Sequence, residues 1–154
     1  MGRKIKYAAV FSAVSLGAGA VSALISGNIT DSYATLALPP FAPPDAVFPV
    51  VWTALYILVG IGAGLVCAGF SPFRERALVS YALQVAVNFV WPIIFFGAGK
   101  YFAAFFWLLF LLWSVCFMTL QFAKANKTAA LLQLPYIVWL VYAAVLNLFA
   151  ALMN

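Results

Sequence analysis

The stretch "YALQVAVNFVWPIIFF", residues 81–96, is apolar enough for a bilayer-spanning helix, yet it carries Gln84, Asn88, Trp91 and Pro92 and no charge. Gln84, Asn88, Trp91 and Phe95 are spaced four, three and four residues apart, the repeat that stacks side chains on one face of an α-helix. A membrane-barrel strand would alternate polar and apolar residues over about ten positions. The continuous apolar run therefore predicts a helix with one polar and aromatic stripe. Pro92 has no N–H to offer the Asn88 carbonyl and bends the helix beside that stripe. A freed carbonyl is costly in lipid, so the stripe should face protein or a cavity.

The rest of the chain extends this reading. Of its 154 residues 68% are hydrophobic and 7% charged, far below the roughly 25% charged residues of soluble domains. A span needs about 20 mostly apolar residues, and five such runs occur, at roughly 5–27, 46–69, 77–97, 101–123 and 128–152. They predict an all-α membrane protein, a five-transmembrane-helix bundle forming a single domain over 1–154, with a Pro-rich external loop at 28–45. The first run follows basic residues and ends in "GAGAVSA", as a signal peptide can. Its length exceeds the roughly 7–15 residues of a signal core, so a retained helix is expected.

Lys and Arg are kept on the cytoplasmic side of short loops. In a five-span arrangement Arg3, Lys4, Lys6, Arg74, Arg76, Lys124 and Lys127 share the N-terminal side, and Lys100 stands opposite. The expectation is a multi-pass protein of the plasma membrane, N-terminus cytoplasmic and C-terminus external. The net charge of +5 thus reports topology; membrane lipids are the expected surroundings and no nucleic-acid partner is implied.

The missing residue types narrow the chemistry. There is no His, the three acidic residues Asp31, Asp45 and Glu75 lie in loops, and Cys67 and Cys116 lie inside spans. Proton relays and cation pathways use ionisable groups within the membrane, so pumps and acid-ringed channels are disfavoured. Imidazole-ligated haem is excluded, and zinc or di-iron sites lack ligands. No phosphate loop, nucleophile with a His base, or close carboxylate pair is visible. No catalytic residue, metal ligand or required cofactor is assigned.

Two other runs carry similar stripes. The second places Trp52 and Tyr56 one turn apart after Pro49; the fifth places Pro135, Trp139, Ala143 and Asn147 at intervals of four, with Tyr136 beside them. Interfacial belts use Trp and Tyr, and lone amides tie helices together. Three helices with the same combination point instead to an aromatic cavity for a large, flat, hydrophobic ligand, its rings stacking and its amides orienting the polar edge. A quaternary ammonium cage is a further use of such rings. The candidate ligand-binding residues are Trp52, Tyr56, Gln84, Asn88, Trp91, Phe95, Tyr136, Trp139, Ala143 and Asn147. The stretch "NITDSYATLALPPFAPPDAVFP" (28–49) holds five of the eight prolines; its stiff "PPFAPP" suits a lid, with Tyr33, Phe41, Pro43 and Pro44 as lid candidates. Ser15, Gly19 and Ala23 in the first run, and Gly60, Gly64 and Ala68 with Gly62 in the second, form small-residue faces. Such faces pack helices within a chain or across a homodimer.

"PPFAPP" with "FPVVWTALY", then "QVAVNFVWPIIFF", then "LPYIVWLVYAAVLN" resemble, in order and spacing, the TspO/MBR family of tryptophan-rich sensory proteins and translocator proteins, also known as peripheral-type benzodiazepine receptors. The resemblance covers about 36–147. It implies a five-helix bundle, commonly dimeric, that binds porphyrins such as protoporphyrin IX, and sterols in animal members. By position it implies Trp52, Asn88, Trp91, Tyr136, Trp139, Ala143 and Asn147 as pocket residues, with Pro43 and Pro44 in the lid. Light-dependent porphyrin breakdown, where it occurs, is assigned to the pair Trp52 and Trp139. The chain departs from the family with Phe41 and Leu38 where Trp and Lys are usual and with Ser32 where Trp often stands. Three readings follow: a tetrapyrrole receptor or carrier with a sensory, regulatory or transport role, a slow photo-oxidative enzyme, and a structural or regulatory membrane partner.

Overall fold

The computed structural model describes residues 2–154. Its elements are α1 (Gly2–Ile25), α2 (Ile29–Ala34), α3 (Val47–Ala68), α4 (Arg74–Pro92), a π-helical turn (Ile93–Gly97), α5 (Tyr101–Ala125), α6 (Lys127–Leu131) and α7 (Leu134–Met153). Five segments are long and apolar enough to cross a membrane: α1, α3, α4 with the π turn, α5, and α6 with α7. The protein is an integral, multi-pass helical bundle. Its core, where Ala63, Ala77, Leu108, Leu111, Val115, Met118, Phe122 and Leu140 have no exposed surface, lies between α3, α4, α5 and α7.

Three features depart from the sequence expectation. The run 128–152 is two helices, broken at Leu132 and Gln133. Pro135 sits in the first turn of α7 and offers no N–H to the Leu131 carbonyl, so the helix does not run through from α6. Asn126 caps α6, accepting the Ala129 N–H at 3.0 Å, and the Gln133 amide donates to the Ala129 carbonyl at 2.9 Å. The second departure is at Pro92, where the helix widens into a π turn closed by Ala98 N–H to Ile93 carbonyl at 2.8 Å. Carbonyls just before the proline gain donors from neighbouring helices: Ser22 Oγ reaches Phe89 O at 2.6 Å and Trp107 Nε1 reaches Val87 O at 2.8 Å. The third is α2, a helical turn within the 28–45 loop, capped by Asn28, which accepts the Asp31 N–H at 3.3 Å.

Glycines set where α1 runs. A Cβ on Gly64 would lie 2.4 Å from the Ala8 nitrogen, and one on Gly60 would lie 2.3 Å from the Ser12 Cα, so the two backbones touch near the N-terminal end of α1. Farther along, the Tyr56 ring takes the space beside Gly19, where a Cβ would be 2.3 Å from it. Beyond Ser12, α1 is tied instead to α4: Ser15 Oγ and Tyr81 OH are 2.8 Å apart, and Ser22 bonds Phe89 as above. The α3 face at Gly60 and Gly64 is thus filled by α1 of the same chain, and a gap opens between these helices at the loop end, bordered by Gly19 and Ala23.

Candidate ligand site between the helices

In that gap lies a cavity of about 470 Å³. Phe48, Trp52 and Tyr56 recur every four residues along α3 and form its floor; Trp91, Pro92 and Phe96 close it from α4 and the π turn. Leu16, Gly19, Ala20 and Ala23 of α1 form the opposite wall, and Tyr33 of α2 covers it. The rings make a slanted series: Tyr56 and Trp52 are 5.6 Å apart at 32°, Trp52 and Trp91 6.1 Å at 30°, Trp91 and Phe95 5.3 Å at 28°. Offset, tilted rings are a favoured aromatic arrangement; Tyr56, Trp52 and Trp91 present such a surface to the cavity, while Phe95 is buried and outside the lining.

The amides and Tyr136 of the sequence stripes stand behind that surface, not on the cavity. Gln84, Asn88, Tyr136 and Asn147 are each no more than 3% exposed. The Asn88 amide donates to Tyr136 OH (2.5 Å), Tyr136 OH donates to Gln84 Oε1 (3.2 Å), and Tyr56 OH approaches Asn88 Oδ1 at 3.5 Å. Trp91 Nε1 donates to Asn147 Oδ1 (3.1 Å), and Asn147 Nδ2 donates to the Tyr101 carbonyl (2.9 Å). Buried polar groups must be paired, and here they pair with one another across α3, α4 and α7. Their role is to fix the rings that do line the cavity.

Trp139 also lies apart from the main cavity. Its ring packs on Phe48 (5.7 Å) and Tyr142 (5.5 Å), and its indole N–H is buried without an acceptor among the described residues. Ala143 and Asn147 border a separate void of about 20 Å³, parted from the larger one by Tyr33, Phe48, Trp91 and Phe96, which line both. The lid residues divide likewise. Tyr33 donates to the Pro43 carbonyl at 2.8 Å and meets Phe48 edge-on at 4.8 Å. Partial burial, then the neighbouring Tyr142 and Asp45, pushes its phenol above the ordinary value, so it remains a neutral donor. Phe41 turns to Phe149 (5.3 Å) and its carbonyl accepts Tyr142 OH (2.9 Å), while Pro44 accepts the Val47 N–H (3.0 Å). Phe41 thus ties the loop to α7, Pro44 to the start of α3 and Pro43 to Tyr33 of α2, and none of the three borders the cavity. Sequence reasoning missed Phe48, Phe96 and Asp45 as lining residues; the four-residue step 48, 52, 56 was the available signal for the first.

The model of the TspO/MBR family matches residues 9–152. The chain belongs to the TspO/MBR family. Among its TspO/MBR relatives, Protein CrtK of Rhodobacter capsulatus is 37% identical over 84% of this chain and 81% of its own length. The translocator protein of Homo sapiens is 36% identical over 88% of this chain and 82% of its own. The tryptophan-rich protein TspO of Chlorobaculum tepidum is 36% identical over 75% and 74%. The match takes in most of α1 and α7, all of the helices between them, and all residues that line the cavity.

Proposed function

We propose that this protein is a membrane receptor or carrier for tetrapyrroles, such as protoporphyrin IX, or for similarly flat hydrophobic ligands, with a sensory, regulatory or transport role. The observation that carries the reading is the cavity of about 470 Å³ floored by the tilted Trp52 and Trp91 rings, since planar π systems stack on such surfaces. The names translocator and tryptophan-rich sensory protein borne by its relatives support a role in moving or sensing the ligand. The basic residues on the N-terminal side support a cytoplasmic N-terminus, an external C-terminus and a place in the plasma membrane. In this orientation the cavity lies in the outer half of the bilayer.

Titration of the purified protein with protoporphyrin IX, read by tryptophan fluorescence quenching, tests the site. Aromatic pairs contribute about 0.5–1.5 kcal/mol beyond burial, so Trp52→Ala should weaken binding about twofold to thirteenfold. Trp139→Ala, away from the cavity, should weaken it less. Parental affinity in Trp52→Ala would remove the ligand from this cavity.

A further inference from the structure

Granting that the cavity is the ligand site, its charge and hydrogen-bonding character narrow the ligand further. Among the residues that line it, Asp45 is the charged one; no Lys or Arg is included. Lys100, the basic residue at the loop end, is not part of the wall, and the other seven follow the opposite helix ends. One Asp45 oxygen accepts the Ala46 N–H at 2.7 Å, which holds the carboxylate beside the start of α3. Three donors that border the cavity are already committed. Tyr33 OH serves the Pro43 carbonyl, Tyr56 OH faces Asn88 Oδ1, and Trp91 Nε1 serves Asn147 Oδ1. An anionic ligand would meet a negative rim and no cation; the donors left to it are the neutral Trp52 indole N–H and the Thr30 and Thr53 hydroxyls that also line the cavity. The rings of Trp52, Trp91, Tyr56 and Phe96 have electron-rich faces that attract cations.

We infer that the cavity selects a flat hydrophobic ligand bearing a positive charge, a protonated or quaternary amine, with its body on Trp52 and Trp91 and its cationic end toward Asp45. The acidic arms of a dicarboxylate must point away from Asp45, which costs such a ligand affinity relative to its neutral ester. The inference deepens the proposed function without altering where the ligand sits.

Three tetrapyrroles sharing one ring system separate the possibilities: protoporphyrin IX, its neutral dimethyl ester, and a diamide with tertiary-amine arms. Each is titrated against the full chain in non-ionic detergent, with the parent, Asp45→Asn and Trp52→Ala, by fluorescence quenching. The amine derivative should bind about fivefold tighter than the ester, as an exposed charge pair supplemented by ring faces provides, and protoporphyrin IX more weakly than the ester. Asp45→Asn should cut the ratio of amine to ester affinity toward one, and added salt should shrink that ratio in the parent. Equal binding of all three ligands, or an advantage that survives Asp45→Asn, overturns the inference and leaves the ligand site standing. If the ester does not bind, or binds Trp52→Ala as well as the parent, the cavity is the wrong site and both readings fall.

Discussion

Asn147→Leu tests whether the buried amides hold the cavity wall in place. Leu matches Asn in branching and side-chain heavy-atom count but removes two bonds at once, Trp91 Nε1 to Asn147 Oδ1 at 3.1 Å and Asn147 Nδ2 to the Tyr101 carbonyl at 2.9 Å. Trp91 is 5% exposed and Asn147 2%, so water replaces neither partner. An orphaned buried group costs about 1–3 kcal/mol, whereas measured hydrogen bonds between membrane helices average about 0.6 and reach about 1.7 kcal/mol. Asn147→Leu should therefore cost about 1–3 kcal/mol of stability. The assay is a double-mutant cycle with Trp91→Phe, which deletes the donor, following unfolding in mixed micelles by near-ultraviolet circular dichroism. The coupling should fall at about 0.6–1.7 kcal/mol. Porphyrin binding should also weaken in Asn147→Leu, because the indole that forms the wall is free to turn. A coupling below about 0.5 kcal/mol, the scatter expected of independent sites, together with unchanged porphyrin affinity, refutes the claim that Asn147 positions Trp91.

Two further outcomes follow from the packing. Gly60→Leu places a side chain where even a Cβ is 2.3 Å from the Ser12 backbone; overpacking of about 1–3 kcal/mol should lower the thermal midpoint, while Gly17→Ala, in open space, should not. The Asn154 side chain bonds both the N–H (3.0 Å) and carbonyl (2.9 Å) of Ala37, so Asn154→Ala should speed backbone amide exchange and proteolysis across 36–44 with little change in bundle stability, and unchanged protection there would show that Asn154 does not hold the loop.

The spans were legible because hydropathy is a property of contiguous sequence. The π turn follows Pro92, foreseen as a bend; the break at Gln133 precedes Pro135, which was read only as one step of a stripe inside a continuous run 128–152. On the site side, Trp52, Tyr56 and Trp91 were found because four-residue steps put them on buried faces. Asn88 and Tyr136 sit on the same kinds of face, yet their partners are each other. Whether a buried amide meets a ligand or a phenol from another helix depends on how the helices are rotated, which no local pattern encodes. The same holds for Trp139, whose ring is met by Phe48 of a different helix. Asp45 carried no periodic signal, being in a loop; it joins the wall only because the chain turns into α3 there.

The path of α1, backbone against α3 at Ala8 and Ser12 and then hydroxyl-bonded to α4 at Ser15 and Ser22, makes the hollow a product of helix crossing as well as of the small residues Gly19, Ala20 and Ala23 on its α1 wall. Swapping single residues along its walls should therefore recontour the space and retune preference among guests without abolishing it. New specificities are within reach of few substitutions, provided the glycines that fix the crossing are left alone.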